Sequence, residues 1–339
     1  VTKAIDYDFN NTVFSYIPNT AETAYMGMIE GLEDELTEWK RKAIKKKQKA
    51  GKNGISKILK TKVRNEKIVV KDGKTRTFIA DTSSRDDMVS HVYDVTYGIV
   101  RNNIDTLVLL DDSIVRGTTM RDSIIKIVSR LMPKRIIIVS SAPQIRYPDC
   151  YGIDMSRMGE FVAFKAMEAL LKKKGKLKMM KTAYKNALEE LKKPPRKQKN
   201  ALKELYAQFK YEEVSDMIAE IITPKGTKPQ VDVIYQTIED LRLSCPNNNG
   251  DWYFSGNYPT PGGFRVVNKA FVYYMEADTW DSKKRVAVSD AIIEVNDHLR
   301  KVKLGRYLMI CLAIFIVLGT ALLRVTALNN TRADVNTAC

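Results

Sequence analysis

The sequence predicts an α/β protein: a parallel sheet flanked by helices, with Lys-rich helical insertions and a C-terminal hydrophobic helix. Three observations lead there. Thr106 to Leu110 is a short continuous run dominated by apolar residues, the pattern of a strand buried on both faces. Met120 to Leu131 repeats apolar residues at helical spacing and stops before Pro133. Arg135 to Ser141 holds a second apolar run. Strand, loop, helix and strand at this spacing make a βαβ unit, whose two strands lie parallel in one sheet.

The other elements follow along the chain. Residues 12–17, Thr-Val-Phe-Ser-Tyr-Ile, read as a buried strand that Pro18-Asn19-Thr20 ends. A helix is expected from about Ala21, with Tyr25, Met28, Ile29, Leu32 and Leu36 on one face. It runs into a basic segment interrupted by Gly51 and Gly54. Residues 66–80 read as two short strands around Lys71-Asp72-Gly73, a hairpin signal. Ser84 is placed to cap a helix whose apolar face includes Met88, Val92 and Val95. Pro194-Pro195 is expected to separate two helices, and residues 245–264, rich in Asn, Gly, Pro and aromatics, to be ordered but irregular.

Composition narrows the function classes. The chain has 339 residues and is 44% hydrophobic, too long and too apolar for a disordered tail. Its four cysteines, 150, 245, 311 and 339, form no CxxC pair, so neither a disulfide framework nor a zinc ribbon is expected. They give no support for an iron–sulfur cluster. His91 and His298 are the only histidines, which argues against a His-rich metal site. The chain opens on Val1 without a signal-peptide pattern, and a fragment of a longer protein is expected.

The net charge is +16, and it is concentrated. Lys40 to Arg76 holds sixteen basic and two acidic residues; Lys172 to Lys203 holds thirteen and two. Clustered lysines can neutralise phosphates. These runs, however, lie in helix-forming sequence with few aromatics for base stacking, so solvated helix faces are the leading reading and nucleic acid the minor one.

The chemistry concentrates in residues 107–119, Leu-Val-Leu-Leu-Asp-Asp-Ser-Ile-Val-Arg-Gly-Thr-Thr. Apolar residues lead into two adjacent carboxylates, and a Gly-Thr-Thr turn then opens a helix. Ligands of open α/β sheets bind at the carboxyl ends of strands. A helix N-terminus presents unpaired N–H groups to a phosphate. Thr118 and Thr119 add hydroxyl donors, and Gly117 lets the backbone come close. Asp111 and Asp112 can accept hydrogen bonds from a vicinal diol or help hold Mg²⁺. Phosphate at one end and diol at the other describe a ribose 5-phosphate.

This stretch resembles the 5-phosphoribosyl 1-diphosphate (PRPP) motif of type I phosphoribosyltransferases. Its flanks narrow the resemblance. Ser140-Ser-Ala-Pro-Gln-Ile-Arg-Tyr-Pro148 and Tyr151-Gly-Ile-Asp-Met155 are similar to segments of the glutamine amidophosphoribosyltransferase family. Ile17-Pro-Asn-Thr20 resembles that family's diphosphate loop, and Arg76-Thr-Phe-Ile79 its flexible loop. Cys245-Pro-Asn-Asn-Asn-Gly-Asp-Trp-Tyr-Phe-Ser-Gly256 and Pro261-Gly-Gly-Phe264 resemble the tail of a longer bacterial form. The resemblance covers about residues 9–276.

The resemblance implies a type I phosphoribosyltransferase fold and transfer of an amino group to PRPP. The products would be 5-phosphoribosylamine and diphosphate, the first step of purine synthesis. It implies Mg²⁺ at Thr20, Asp111 and Asp112, with the two aspartates also meeting the ribose hydroxyls. Ser113, Val115, Arg116, Gly117, Thr118 and Thr119 would wrap the 5-phosphate, and Lys71, Lys74 and Arg76 would face the diphosphate. The flexible-loop position departs from the common short form, holding Val69-Val70-Lys71-Asp72-Gly73-Lys74-Thr75 before Arg-Thr-Phe-Ile. The family's glutaminase domain is missing from this chain, which leaves PRPP and free ammonia as the expected partners, and a homo-oligomer is expected.

Four segments are expected. They are a transferase core at 1–165 with a Lys-rich insertion near 37–64, a Lys-rich helical segment at 166–212, the rest of the transferase region at 213–276, and an unmatched extension at 277–339. Within the last, Tyr307 to Leu323 carries no charge. As a helix it would reach about 25 Å, slightly short of a membrane core. Arg300, Lys301, Lys303 and Arg306 precede it, so a membrane anchor with the enzyme on the cytoplasmic side competes with a buried helix or unrelated sequence. Bland readings stand beside the sharp ones. Thr20 also suits a helix N-cap, and Arg116 a surface position. His91 reads as structural, Cys150 as a semi-buried thiol, and Trp252, Tyr253 and Phe254 as packing. A nucleobase phosphoribosyltransferase and a non-catalytic PRPP-binding regulator are the rival functions.

Overall fold

The computed structural model describes residues 1–46, 51–71, 93–149, 155, 157–248 and 250–277. Lys74, Arg76, Ser84, Met88, His91, Val92, Cys150, His298 and the segment 307–323 lie outside them. Among the described residues no helix is long and apolar enough to cross a membrane. Residues Val1–Met275 form one compact unit.

Its strands are β1 (Thr12–Tyr16), β2 (Arg64–Asn65), β3 (Val69–Lys71), β4 (Tyr93–Val95), β5 (Thr106–Asp111), β6 (Arg135–Ser140) and β7 (Gln230–Tyr235). Five of them make one sheet in the order β2-β1-β5-β6-β7, with every neighbouring pair parallel. The helices are α1 (Glu22–Lys46), α2 (Gly51–Lys60), α3 (Ile125–Ser129), α4 (Val162–Lys173), α5 (Lys178–Lys192), α6 (Lys203–Tyr206), α7 (Tyr211–Ile222), α8 (Ile238–Ser244), α9 (Trp252–Ser255) and α10 (Pro261–Ala277).

The continuous apolar runs are explained by burial of both sheet faces. Side chains alternate across a strand. Leu107 and Leu109 of β5, and Ile136 and Ile138 of β6, enter one core. Val108, Leu110, Ile137 and Val139 enter the other. α1 covers the second core with Tyr25, Leu32 and Leu36, all buried, while Met28 and Ile29 pack at its margin. The first core is covered by α3, α4 and α7, through residues such as Val128, Phe164 and Ile218. Each fully buried Leu or Ile here contributes about 1.5–3 kcal/mol of apolar burial.

Among the described residues the antiparallel partner of β3 is β4, with Val69 opposite Val95; the second strand expected after Asp72-Gly73 lies outside them. Val95 therefore belongs to a strand and not to a helix face. Gly51 opens α2, and Gly54 lies inside it. Met120–Ile124 is a π-helical turn leading into α3, so the amphipathic helix starts with a wider turn than expected. β7 and α7 were not anticipated. β7 is an edge strand with only Val233 and Tyr235 buried, and its apolar signal is weak.

Pro194-Pro195 separates α5 from the short α6, as expected. Met180, Ala183 and Ala187 of α5 are buried, whereas Lys178, Lys181, Lys185 and Lys192 are exposed. Its lysines thus form a solvated face. The aromatic segment is ordered by specific contacts. Arg146 N and Tyr147 N donate to Tyr253 O at 2.9 and 3.0 Å, Tyr253 Oη donates to Asp149 at 2.8 Å, and Tyr258 Oη donates to Pro148 O. Trp252 packs on the main core.

Candidate active site

β1 and β5 are adjacent and parallel, so the segments leaving their carboxyl ends meet at one edge of the sheet. The meeting is tied by Ile17 N donating to Leu110 O at 2.8 Å. The result is a cleft of about 240 Å³ lined by residues 17–20, Lys71, Tyr93 and the unbroken stretch 111–120. Every described residue expected at the site lies there: Thr20, Lys71, Asp111, Asp112, Ser113, Val115, Arg116, Gly117, Thr118 and Thr119. The Pro18–Asn19 peptide beside Thr20 is cis.

The backbone that carries the two carboxylates is tied to the segment leaving β6. Ser141 N donates to Asp111 O at 2.9 Å, and Ala142 N to Asp112 O at 3.1 Å. Ser141 Oγ also donates to Asp112 O, at 3.0 Å. Ser113 N donates to Asp112 Oδ1 at 2.8 Å and starts the loop. Asp111 is only 9% exposed. Burial, and then the neighbouring Asp112 charge, push its carboxyl well above the usual carboxylate range. Tyr93 faces the same pair: burial first, then Asp111 and Asp112, push its hydroxyl up to about 12. Lys71 Nζ sits 5.6 Å from the Tyr93 ring centroid, within cation–π range.

The loop turns at Gly117, whose φ of +71° is a conformation side chains rarely adopt. Space forbids a side chain as well: a Cβ there would lie 2.7 Å from Ile222 Cγ2 and 3.3 Å from Val162 Cγ2. Arg121 N then donates to Gly117 O at 3.0 Å, opening the helical turn. Behind the loop, Val162 N donates to Val115 O at 2.8 Å. Arg116 is not a loose surface residue. Its side chain is 20% exposed, and Nη2 forms an ion pair with Glu160 Oε2 at 2.7 Å.

The sequence reading missed Tyr93 and Glu160. Neither belongs to a motif. Tyr93 enters from a strand expected to be helical, and Glu160 from a short 3₁₀ turn, Met158–Glu160.

No family model matches the chain. It is 47% identical over 58 residues to the amidophosphoribosyltransferase of Pasteurella multocida, covering 17% of this chain and 11% of the relative. The chain is similar to amidophosphoribosyltransferases. The Escherichia coli amidophosphoribosyltransferase gives 46% identity over 57 residues, again 17% of this chain and 11% of the relative. That of Schizosaccharomyces pombe gives 37% over 139 residues, 41% of this chain and 16% of the relative. The chain thus spans about a tenth of the length of the bacterial amidophosphoribosyltransferases it matches. Among solved structures, the glutamine PRPP amidotransferase of B. subtilis, complexed with ADP and GMP, aligns with a TM-score of 0.38 and 18% identity, over 74% of this chain and 38% of that one.

Proposed function

We propose that this chain binds PRPP in the cleft at the ends of β1 and β5 and transfers ammonia to it, giving 5-phosphoribosylamine and diphosphate. The observation that supports this most is the loop 111–119. It places two carboxylates at a strand end, a left-handed glycine with no room for a side chain, and a helix start around one cleft. The identity to amidophosphoribosyltransferases supports the choice of amine acceptor.

In this reading the ribose hydroxyls donate to Asp111 and Asp112. The backbone N–H groups and hydroxyls of Ser113 to Thr119 receive the 5-phosphate. Thr20 and Lys71 face the diphosphate. Ammonia attacks C1 as the C1–O bond to diphosphate breaks, the pair of electrons leaves with the diphosphate, and the ammonium formed on C1 gives up one proton to the solvent. The chain supplies no side-chain nucleophile; it orients the two reactants and surrounds the developing charges with fixed donors.

The donor set fits Mg²⁺. Burial first, and then the neighbouring Asp112 charge, raise the cost of ionising Asp111, and a hard divalent cation held by Asp111, Asp112 and Thr20 would relieve it. Among the described residues no group of three or more His, Cys, Asp or Glu is placed to hold a metal ion. When bound, Mg²⁺ would offset charge on the departing diphosphate.

The test is titration of the chain with PRPP and Mg²⁺ by calorimetry, followed by assay of diphosphate release. We expect binding, release that depends on ammonia, and loss of PRPP binding in Asp111→Asn/Asp112→Asn with an unchanged circular dichroism spectrum. Unaltered PRPP affinity in the double variant would remove the site assignment. Turnover with a nucleobase but not with ammonia would make the chain a nucleobase phosphoribosyltransferase, and binding without any turnover would make it a regulator.

A further inference from the structure

The loop read as the 5-phosphate cradle is braced by a segment that the sequence motif does not contain. Residues 158–162 touch it in three ways. Val162 N donates to Val115 O at 2.8 Å. The Val162 side chain fills the space where Gly117 would carry a Cβ. Glu160 Oε2 pairs with Arg116 Nη2 at 2.7 Å. Glu160 is itself anchored, because Arg157 Nη1 donates to Glu160 Oε1 at 3.2 Å. The Arg116 and Glu160 side chains are 20% and 29% exposed, whereas Arg157 is 58% exposed. A carboxylate thus sits between two guanidinium groups, one in the cleft wall and one in solvent.

An arginine side chain has many rotamers, and ordering it on binding weakens affinity unless it is already held. A half-buried partner carboxylate supplies that restraint. Resting on the reading of the cleft given above, we propose that Glu160 is a positioning residue for substrate binding: its carboxylate fixes the Arg116 guanidinium along the loop that receives the 5-phosphate. The diphosphate end, bounded by Thr20 and Lys71, is not controlled by this pair. The effect of Glu160 is therefore confined to one end of the substrate.

Two fragments of the substrate separate the ends. Calorimetry on the full chain compares ribose 5-phosphate with inorganic diphosphate, each with Mg²⁺. In Glu160→Gln the Kd for ribose 5-phosphate should rise about tenfold, the loss of one charge-assisted contact, while that for diphosphate changes by less than about twofold. Arg116→Met should weaken ribose 5-phosphate similarly, and the double variant should show no further loss. Were Glu160→Gln not to melt cooperatively, Glu160→Asp keeps the charge but shortens the reach, and an intermediate, ribose-selective loss is expected. Equal weakening of both fragments would reduce Glu160 to a structural brace and overturn the proposal. So would unchanged or tighter ribose 5-phosphate binding in a native chain that binds PRPP. A native chain that binds no PRPP would sink the reading of the cleft itself and this inference with it.

Discussion

Gly117 shows what a single residue contributes to the cleft. It needs both a left-handed backbone and the absence of a Cβ, since Ile222 and Val162 occupy the space. Gly117→Ala should therefore destabilise the protein by about 2–4 kcal/mol, strain and overlap together, read as a lowered urea midpoint. A midpoint within error of the native one would show that the loop relaxes freely. The requirement for a glycine was legible in the sequence, because a close backbone turn between a strand end and a helix calls for one. The same holds for Asp111 and Asp112, whose adjacency at a strand end is a local fact. Glu160 and Tyr93 were not legible. Their roles depend on contacts with residues 44 and about 20 positions away, Arg116 in one case and the Asp111–Asp112 pair in the other, and no local spacing encodes such a meeting.

Among the elements, the Lys-rich helices illustrate how charge and burial are divided. α4 carries three lysines and α5 four, yet each puts its apolar side into the main core. Phe164 of α4 is fully buried and meets Phe271 at 6.3 Å and Tyr274 at 4.7 Å, edge-on in both cases. It thereby joins α4 to α10, which follows the irregular aromatic segment. Phe164→Ala should cost about 3–5 kcal/mol, seen in chemical denaturation; a loss under about 1 kcal/mol would mean that the two helices stay together without it. Helical periodicity made the amphipathic pattern of the N-terminal helix readable. Strand partners were harder. The pairing of β3 with β4 spans residues outside any hairpin spacing, and the short edge strands β2 and β7 bury too few side chains to show a clear pattern.

For the molecule as a whole, the buried carboxylate of Asp105 ties separate parts of the chain at the start of β5. Arg64 Nη1 donates to it at 2.8 Å and Arg101 Nη2 at 2.6 Å, while both arginines also donate to Asn10 O. Burial alone would raise the Asp105 carboxyl, but hydrogen bonds from Arg101 and Arg64 outweigh it and hold the group down to about 2. A carboxylate with a lowered native pKa binds its proton more readily in the unfolded chain. Its contribution, roughly 1–2 kcal/mol after screening, is therefore present above about pH 4 and lost as the pH falls through about 2. Melting temperatures measured from pH 6 to pH 2 should fall less steeply in Asp105→Asn, which starts less stable; parallel curves would assign the acid sensitivity elsewhere.

Local patterns alone determined the parallel α/β sheet, the paired-acid loop and the solvated lysine faces, because strand runs, turn glycines and helical periods are written within a few neighbouring residues. Only the tertiary structure decided that β1 and β5 stand side by side, so that Thr20, Tyr93 and Lys71 face Asp111 and Asp112, and that Glu160 meets Arg116. Those juxtapositions arise from packing two sheet faces under helices drawn from distant parts of the chain, and hydrophobic burial, being non-directional, leaves no mark of them in any short stretch of sequence.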